Sequence, residues 1–234
     1  MPLTAPATEA LAPPAPDQPQ PRADGTLWFE ASATLVVSDL HFEKGSAFAR
    51  RGSLLPPYDT AETVRRLGQA LEETGAQRLV SLGDSFHDIT AGQRMALSVR
   101  DQLLELLAGR TCIWVEGNHD PLLPGWLPGV RLETIEIAGW TLRHEPSLAA
   151  APGREIAGHL HPCARVAGRS GRRVRRRCFA VSEARIIMPA FGAFTGGLNL
   201  CDPAFTAHFA TPPTALVLGS GRLHRIGPGQ LLPD

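Results

Sequence analysis

The 234-residue chain has a single lysine, Lys44, no excess of either charge sign, no CxxC pair and no long apolar run. With 23 Lys plus Arg set against 23 Asp plus Glu, the formal net charge is zero. That excludes a uniformly basic nucleic-acid coat and a polyacidic disordered chain, but leaves room for charge gathered in patches. The four cysteines, at 112, 163, 178 and 201, suggest neither a disulfide framework nor a thiolate zinc site, so reduced, buried thiols are expected. The N-terminus has no basic segment followed by a continuous apolar one, so it does not read as a secretory signal. No run approaches the roughly 20 apolar residues of a membrane span. A cytoplasmic protein without a membrane partner is expected. The replacement of lysine by arginine elsewhere carries no functional weight.

Hydrophobic residues make up 43% and charged residues 20% of the chain, enough for a sizeable core. Residues 1–24 hold seven prolines and much alanine, a composition that reads as a disordered tail. Residues 25–234 are then a single domain. Within it, an apolar run ends at Val37 and gives way to Ser38-Asp39-Leu40-His41. A helix capped at Asp59 or Thr60 carries Val64, Leu67 and Leu71 at helical spacing and stops at Gly75. A second strand, Arg78 to Leu82, ends in Gly83-Asp84-Ser85-Phe86-His87-Asp88. A second helix is predicted over about Ala91 to Ala108, and a third strand, Thr111 to Val115, ends in Glu116-Gly117-Asn118-His119-Asp120. Beyond residue 129 strands and hairpins follow: Val130 to Ile137, Trp140 to Arg143, Glu155 to Ala157, Val174 to Val181, Arg185 to Met188 and Ala215 to Leu218. The pattern is α/β, with parallel β-α-β units in the first half and mostly antiparallel strands in the second.

The chemistry lies in an ordered series: Asp39 and His41, Gly83-Asp84, Gly117-Asn118-His119-Asp120, His144, and Gly158-His159-Leu160-His161. Six of the eight histidines fall inside or beside these motifs; His208 and His224 match nothing. Carboxylate and amide oxygens combined with imidazoles suit Mn²⁺, Fe or Zn²⁺, and the absence of thiolates argues against structural zinc. There are ligands enough for two divalent transition-metal ions about 3.5–4 Å apart, the arrangement that activates water for in-line attack on phosphorus.

In this order the motifs resemble the calcineurin-like metallophosphoesterase superfamily. More narrowly, Ser38-Asp-Leu-His-Phe-Glu-Lys-Gly, Phe48-Ala-Arg-Arg-Gly, Gly83-Asp-Ser-Phe-His-Asp and Gly158-His-Leu-His-Pro resemble its DNA-ligase-associated DNA damage response endonuclease (PdeM-type) branch. The resemblance covers about residues 26 to 220. It implies a four-layer α-β-β-α sandwich and two metal ions, Mn²⁺ above all. One would be held by Asp39, His41, Asp84 and His161, the other by Asp84, Asn118, His144 and His159, with Asp84 bridging. His119 is then the general acid for the leaving oxygen. The implied function is a Mn-dependent endonuclease on single-stranded DNA, associated with DNA ligase and repair proteins.

The chain departs from the superfamily where many members read Gly-Asp-x-x-Asp-Arg: His87 and Asp88 stand there and no arginine follows. His87, Asp88 and Asp120 are alternative partners for orienting His119. Phosphate contact falls to Lys44, Arg50 and Arg51. A further basic feature runs from Arg169 to Arg177, with six arginines in nine residues. Turned at Gly171, it places Arg173, Arg175 and Arg177 on one face and Arg172 and Arg176 on the other, so the hairpin is expected to project into solvent. It would clamp a nucleic-acid backbone or serve as a solvated edge that deters strand pairing. Phe191 and Phe194 are either base-stacking or core aromatics. Two other functions are kept open: a small-molecule phosphodiesterase or nucleotide-sugar pyrophosphatase with the same centre, and a non-catalytic scaffold of the same fold.

Overall fold

The computed structural model describes residues 18–53, 58–119, 122–149, 151–168 and 171–234. Two β-sheets lie face to face. The first is built from β1 (Gln20–Pro21), β2 (Leu27–Phe29), β3 (Thr34–Ser38), β4 (Arg78–Leu82), β5 (Thr111–Val115) and β6 (Val130–Leu132), in that spatial order. Strands β3 to β6 are parallel, and β1 and β2 add antiparallel at one edge. Thr34-Leu-Val-Val-Ser38 is buried throughout, as a central parallel strand must be. Leu35 and Val37 face the helices, while Val36 faces the second sheet.

The first sheet's outer face is covered by α1 (Lys44–Arg50), α2 (Asp59–Thr74), α3 (Ala91–Arg94) and α4 (Leu97–Leu107). In α2, Val64, Leu67 and Leu71 are buried and a left-handed Gly75 closes the helix. Asp59 and Thr60 do not cap α2 as the sequence suggested. Their side chains accept from Gly45 N–H and Glu43 N–H, each at 2.8 Å, and so anchor α1. The single helix expected from Ala91 to Ala108 is broken at Met95 and Ala96, both extended.

The second sheet comprises β7 (Ile135–Ile137), β8 (Trp140–Arg143), β9 (Arg154–Ala157), β10 (Cys163–Ala167), β11 (Arg173–Val181), β12 (Arg185–Ile187), β13 (Thr214–Leu218) and β14 (Leu223–Ile226). Its order is β14-β13-β11-β12-β9-β8-β7, with β10 paired to β11. Strands β8, β9 and β12 are parallel to one another and the remaining pairings are antiparallel. The run Val130 to Ile137, read from sequence as one strand, is two: β6 closes the first sheet and β7 opens the second. Between the sheets pack Leu27, Phe29, Val80 and Ile113 from one side and Trp140, Leu142, Ile156, Phe179 and Met188 from the other. The outer face of the second sheet is covered by loops and two 3₁₀ turns, at Pro203–Phe205 and Pro228–Gln230, with Phe205 and Phe209 reaching onto Ala180 and Val217. The fold is thus a metallophosphoesterase-type sandwich whose fourth layer is irregular.

Residues 18–24, assigned by composition to the tail, lie against the first sheet. Gln20 pairs with Trp28 across β1–β2, and Gln18 accepts from the Arg154 guanidinium at 3.1 Å. Pro21, which has no N–H to donate, sits on the edge strand where none is needed. The rest of the expected tail, residues 1–17, lies outside the described residues.

Candidate metal centre

The C-terminal ends of β3, β4, β5, β8 and β9 converge on one edge of the sandwich, the usual place for a site in parallel sheets. Asp39 and His41 follow β3, Asp84 follows β4, Asn118 and His119 follow β5, His144 follows β8, and His159 and His161 follow β9. Five of these residues are left-handed: Asp39 (φ 53), His41 (φ 46), Asp84 (φ 46), His159 (φ 67) and His161 (φ 46). Asp and His tolerate that region better than most residues, yet each such backbone still costs about 1–3 kcal/mol. Two further bonds lash the turned ends together: His41 N–H donates to the Asp84 carbonyl and Phe42 N–H to that of Ser85, both at 2.9 Å.

The side chains form three sets, each with its ligand atoms within 4.8 Å of one another: Asp39, His41 and His161; Asp84, His144 and His159; and a third, without a carboxylate, that joins His41 to His87 and His119. In the first, His161 Nε2 is 3.1 Å from Asp39 Oδ1 and 3.4 Å from His41 Nε2. In the second, His144 Nε2 is 2.9 Å from Asn118 Oδ1, 3.2 Å from His159 Nδ1 and 3.5 Å from Asp84 Oδ1. The other oxygen of Asp84 is 3.8 Å from His41 Nε2, so this carboxylate faces both of the first two sets. Gly83 makes the approach possible: a Cβ there would overlap the His144 ring.

These residues fit divalent metals on their own chemistry. Asp39 and Asp84 are 0% and 2% exposed, and their ionisable neighbours among the described residues are imidazoles. Buried carboxylates need a cation close by. His144 Nδ1 lies 2.9 Å from the Leu82 carbonyl, to which it must donate. Its Nε2 lone pair then points at an amide oxygen, a carboxylate and a second imidazole nitrogen, an acceptor-rich arrangement that a proton or a metal ion satisfies. Burial works against a charged His144, but the Asp84 and Asp39 carboxylates prevail and lift its pKa to about 9. Burial lowers His41 to about 3 despite the upward pull of Asp39 and Asp84, and burial together with His144 lowers His159. Both are therefore neutral at neutral pH, the form in which an imidazole can bind a metal. The carboxyls of Asp39 and Asp84 are held below the usual range, since the surrounding imidazole contacts outweigh desolvation.

His119 stands at the mouth with 42% of its side chain exposed. Its N–H donates to Asp84 Oδ1 at 2.9 Å, its Nδ1 lies 3.1 Å from the His87 carbonyl, and its Nε2 is 3.9 Å from Asp84 Oδ2. The partner that orients it is thus a backbone carbonyl, a group no side-chain motif could reveal. The His87 ring stacks on His119 with centroids 5.4 Å apart, and burial lowers its pKa to about 4. Asp88 does not reach His119: both carboxylate oxygens are taken by Arg94, at 2.7 and 2.8 Å. Asp120 lies outside the described residues.

The basic candidates separate. Lys44 begins α1, half-buried, and burial followed by the nearby Arg177 lowers its pKa. Arg50 reaches Thr90 Oγ1 at 3.4 Å, and Arg51 is exposed. Arg172, Arg173 and Arg176 are exposed on the β10–β11 hairpin, whose Arg169 lies outside the described residues. Two arginines of this run correct the expectation of a wholly projecting hairpin. Arg177 turns inward and donates to the carbonyls of Ala190, Ala193 and Thr195 at 3.1–3.2 Å. Arg175 is tied to Asp234 at 3.2 Å and to the Gly197 carbonyl at 2.6 Å. Strand alternation could not anticipate a loop presenting three carbonyls to one guanidinium. Phe191 is buried in the helix-side core beneath Arg66, while Phe194 is 36% exposed.

No family model and no curated protein matches the chain. Among solved structures, the fold is similar to that of Pseudomonas putida nuclease MPE: the TM-score is 0.66 at 26% identity, covering 89% of this chain and 99% of that one.

Proposed function

We propose that this chain is a two-metal phosphodiesterase that cuts single-stranded DNA, a Mn²⁺-dependent endonuclease acting in DNA repair beside a DNA ligase in the cytoplasm. The observation that carries the reading is the pair of ligand sets facing a shared Asp84, with His119 above them at the open mouth. The likeness to a protein described as a nuclease supports it. Asp39, His41 and His161 would hold one divalent cation and Asn118, His144 and His159 the other, with Asp84 serving both. Such a pair supplies positive charge to the phosphate oxygens and lowers the pKa of water.

The chain's own groups supply the rest. The His87 carbonyl fixes His119 with Nδ1 as donor, which leaves Nε2 facing the centre to pass a proton to the departing oxygen. Asp84 Oδ1, accepting from His119 N–H, sets the height of that imidazole over the site. The exposure of His119 lets an extended strand approach from solvent, whereas Asp39 and His41 are buried.

The test is nicking of circular single-stranded DNA by the metal-stripped protein given Mn²⁺, with Asp84→Ala losing at least a thousandfold. If DNA stays intact while nucleotide diesters or nucleotide sugars are hydrolysed, the protein is a small-molecule phosphodiesterase instead. If nothing is hydrolysed and less than one metal binds per chain, it is a scaffold.

A further inference from the structure

Beside the metal centre, between α1 and the loop from His87 to Thr90, runs a groove that the metal ligands do not use. Its cavity of about 350 Å³ is lined by Ala47, Arg50, Arg51, Asp88, Ile89 and Thr90. Two features set it apart from ordinary surface. Ile89 is 63% exposed, an aliphatic side chain held out toward solvent by a loop whose neighbours are polar. Opposite it, Arg50 and Arg51 show no carboxylate partner among the described residues. The one carboxylate in the lining, Asp88, is already matched by the two-pronged Arg94 contact, so the groove presents net positive charge. Alongside, a row of rings runs from α1 to the centre: Phe48 lies 6.0 Å from His87, and His87 stacks at 5.4 Å on His119.

Apolar surface beside unpaired guanidinium groups matches a nucleotide, which offers a flat π-face and an anion at fixed separation. Single-strand binders pair a stacking surface with a cationic groove; theirs is aromatic, and here the aliphatic Ile89 stands in its place. A base that is paired within a duplex cannot lay its face on such a wall. We infer that this groove is a nucleotide subsite, in which an unpaired base lies against Ile89 and the adjoining phosphate is held by Arg50 and Arg51. The inference rests on the nuclease reading and extends it by naming where the strand beyond the scissile phosphate goes.

Binding is measured as fluorescence anisotropy of a labelled pentathymidylate, and of the same strand with abasic sugars, titrated with the full metal-free chain. Cleavage of both strands is followed with Mn²⁺. The wild type is expected to bind the base-bearing strand about tenfold more tightly than the abasic one, the scale of covering one aliphatic side chain. Ile89→Ser, which leaves the core untouched, erases that preference. Arg50→Ala/Arg51→Ala weakens both strands by about tenfold and raises the KM for cleavage accordingly. The inference is overturned if both variants bind like the wild type, or if Ile89→Ser weakens the two strands equally. If this binding pattern is found but no strand is cut with Mn²⁺, the nuclease reading fails and the nucleotide subsite stands. If strands are cut and the variants bind and cut like the wild type, the subsite alone fails.

Discussion

Replacing Gly83 by alanine isolates the packing that seats one half of the metal centre. Gly83 has φ +70, and its added methyl would overlap the His144 ring, lying 2.7 Å even from the His144 Cβ. That ring is buried and its Nδ1 is held 2.9 Å from the Leu82 carbonyl, so it can yield only by leaving the site. A left-handed alanine costs about 1–2 kcal/mol and overpacking adds about 1–3 kcal/mol. The sum of about 2–5 kcal/mol corresponds to about 4–20 °C in Tm for a chain of this size. Gly75→Ala is the matched control. It has φ +64 at the end of α2 but nothing within 4 Å of the added carbon, so only the backbone cost of about 1–2 kcal/mol applies. The decisive assay is metal content after equilibration with Mn²⁺. Gly83→Ala should fall from two ions per chain to one, because Asp39, His41 and His161 lie outside the collision, whereas Gly75→Ala should keep both. Retention of two tightly bound ions by Gly83→Ala, or loss of one by Gly75→Ala, would refute the argument that this contact seats His144.

Because the apo protein holds His144 protonated up to about pH 9, metal must expel that proton. Calorimetry in buffers of different ionisation enthalpy at pH 7.5 should report about one proton released from this site, and affinity should climb with pH until about 9. In the apo protein the same raised pKa stabilises the fold fully below the ordinary value of 6.5, and this is lost as pH rises through 9. Arg185 and Glu155 are each 6% exposed and 3.0 Å apart, and Arg185 also donates to Ser147 Oγ and to the carbonyls of Leu148 and His208. Arg185→Ala removes the nearer cation from Glu155, which keeps Ser147 N–H at 3.1 Å and Arg143 at 3.7 Å, and should cost about 1.5–3 kcal/mol in urea denaturation; a loss below about 0.5 kcal/mol would contradict that. The Arg94 contacts hold the Asp88 carboxyl below its usual range, so the stability it lends is present above pH 3.8 and fades below. The melting gap between wild type and Asp88→Asn should close over that acid range.

Much of the centre was legible because its ligands follow β-branched runs that could only be buried strands. Val36-Val37 before Asp39, Val80 before Asp84 and Ile113 before Asn118 announce where each strand ends and what it delivers. What stayed hidden depends on backbone groups or on distant chain. The His87 carbonyl that orients His119 has no side-chain signature. Arg177 looks like its neighbours in sequence and differs only because the loop from Ala190 to Thr195 turns its carbonyls inward. Helix α1 was missed because Asp59 and Thr60, apparent caps for α2, are spent on Gly45 and Glu43. The boundary between β6 and β7 is invisible in a run that keeps its apolar character while changing sheets.

The centre takes Asp39, His41, Asp84 and Asn118 from one sheet and His144, His159 and His161 from the other, and β9 is seated between β8 and β12. A nascent chain that has not yet delivered Arg185–Ile187 lacks a flank for the strand that carries two of the six histidines at the site. The complete centre therefore arises late in synthesis, after both sheets have met.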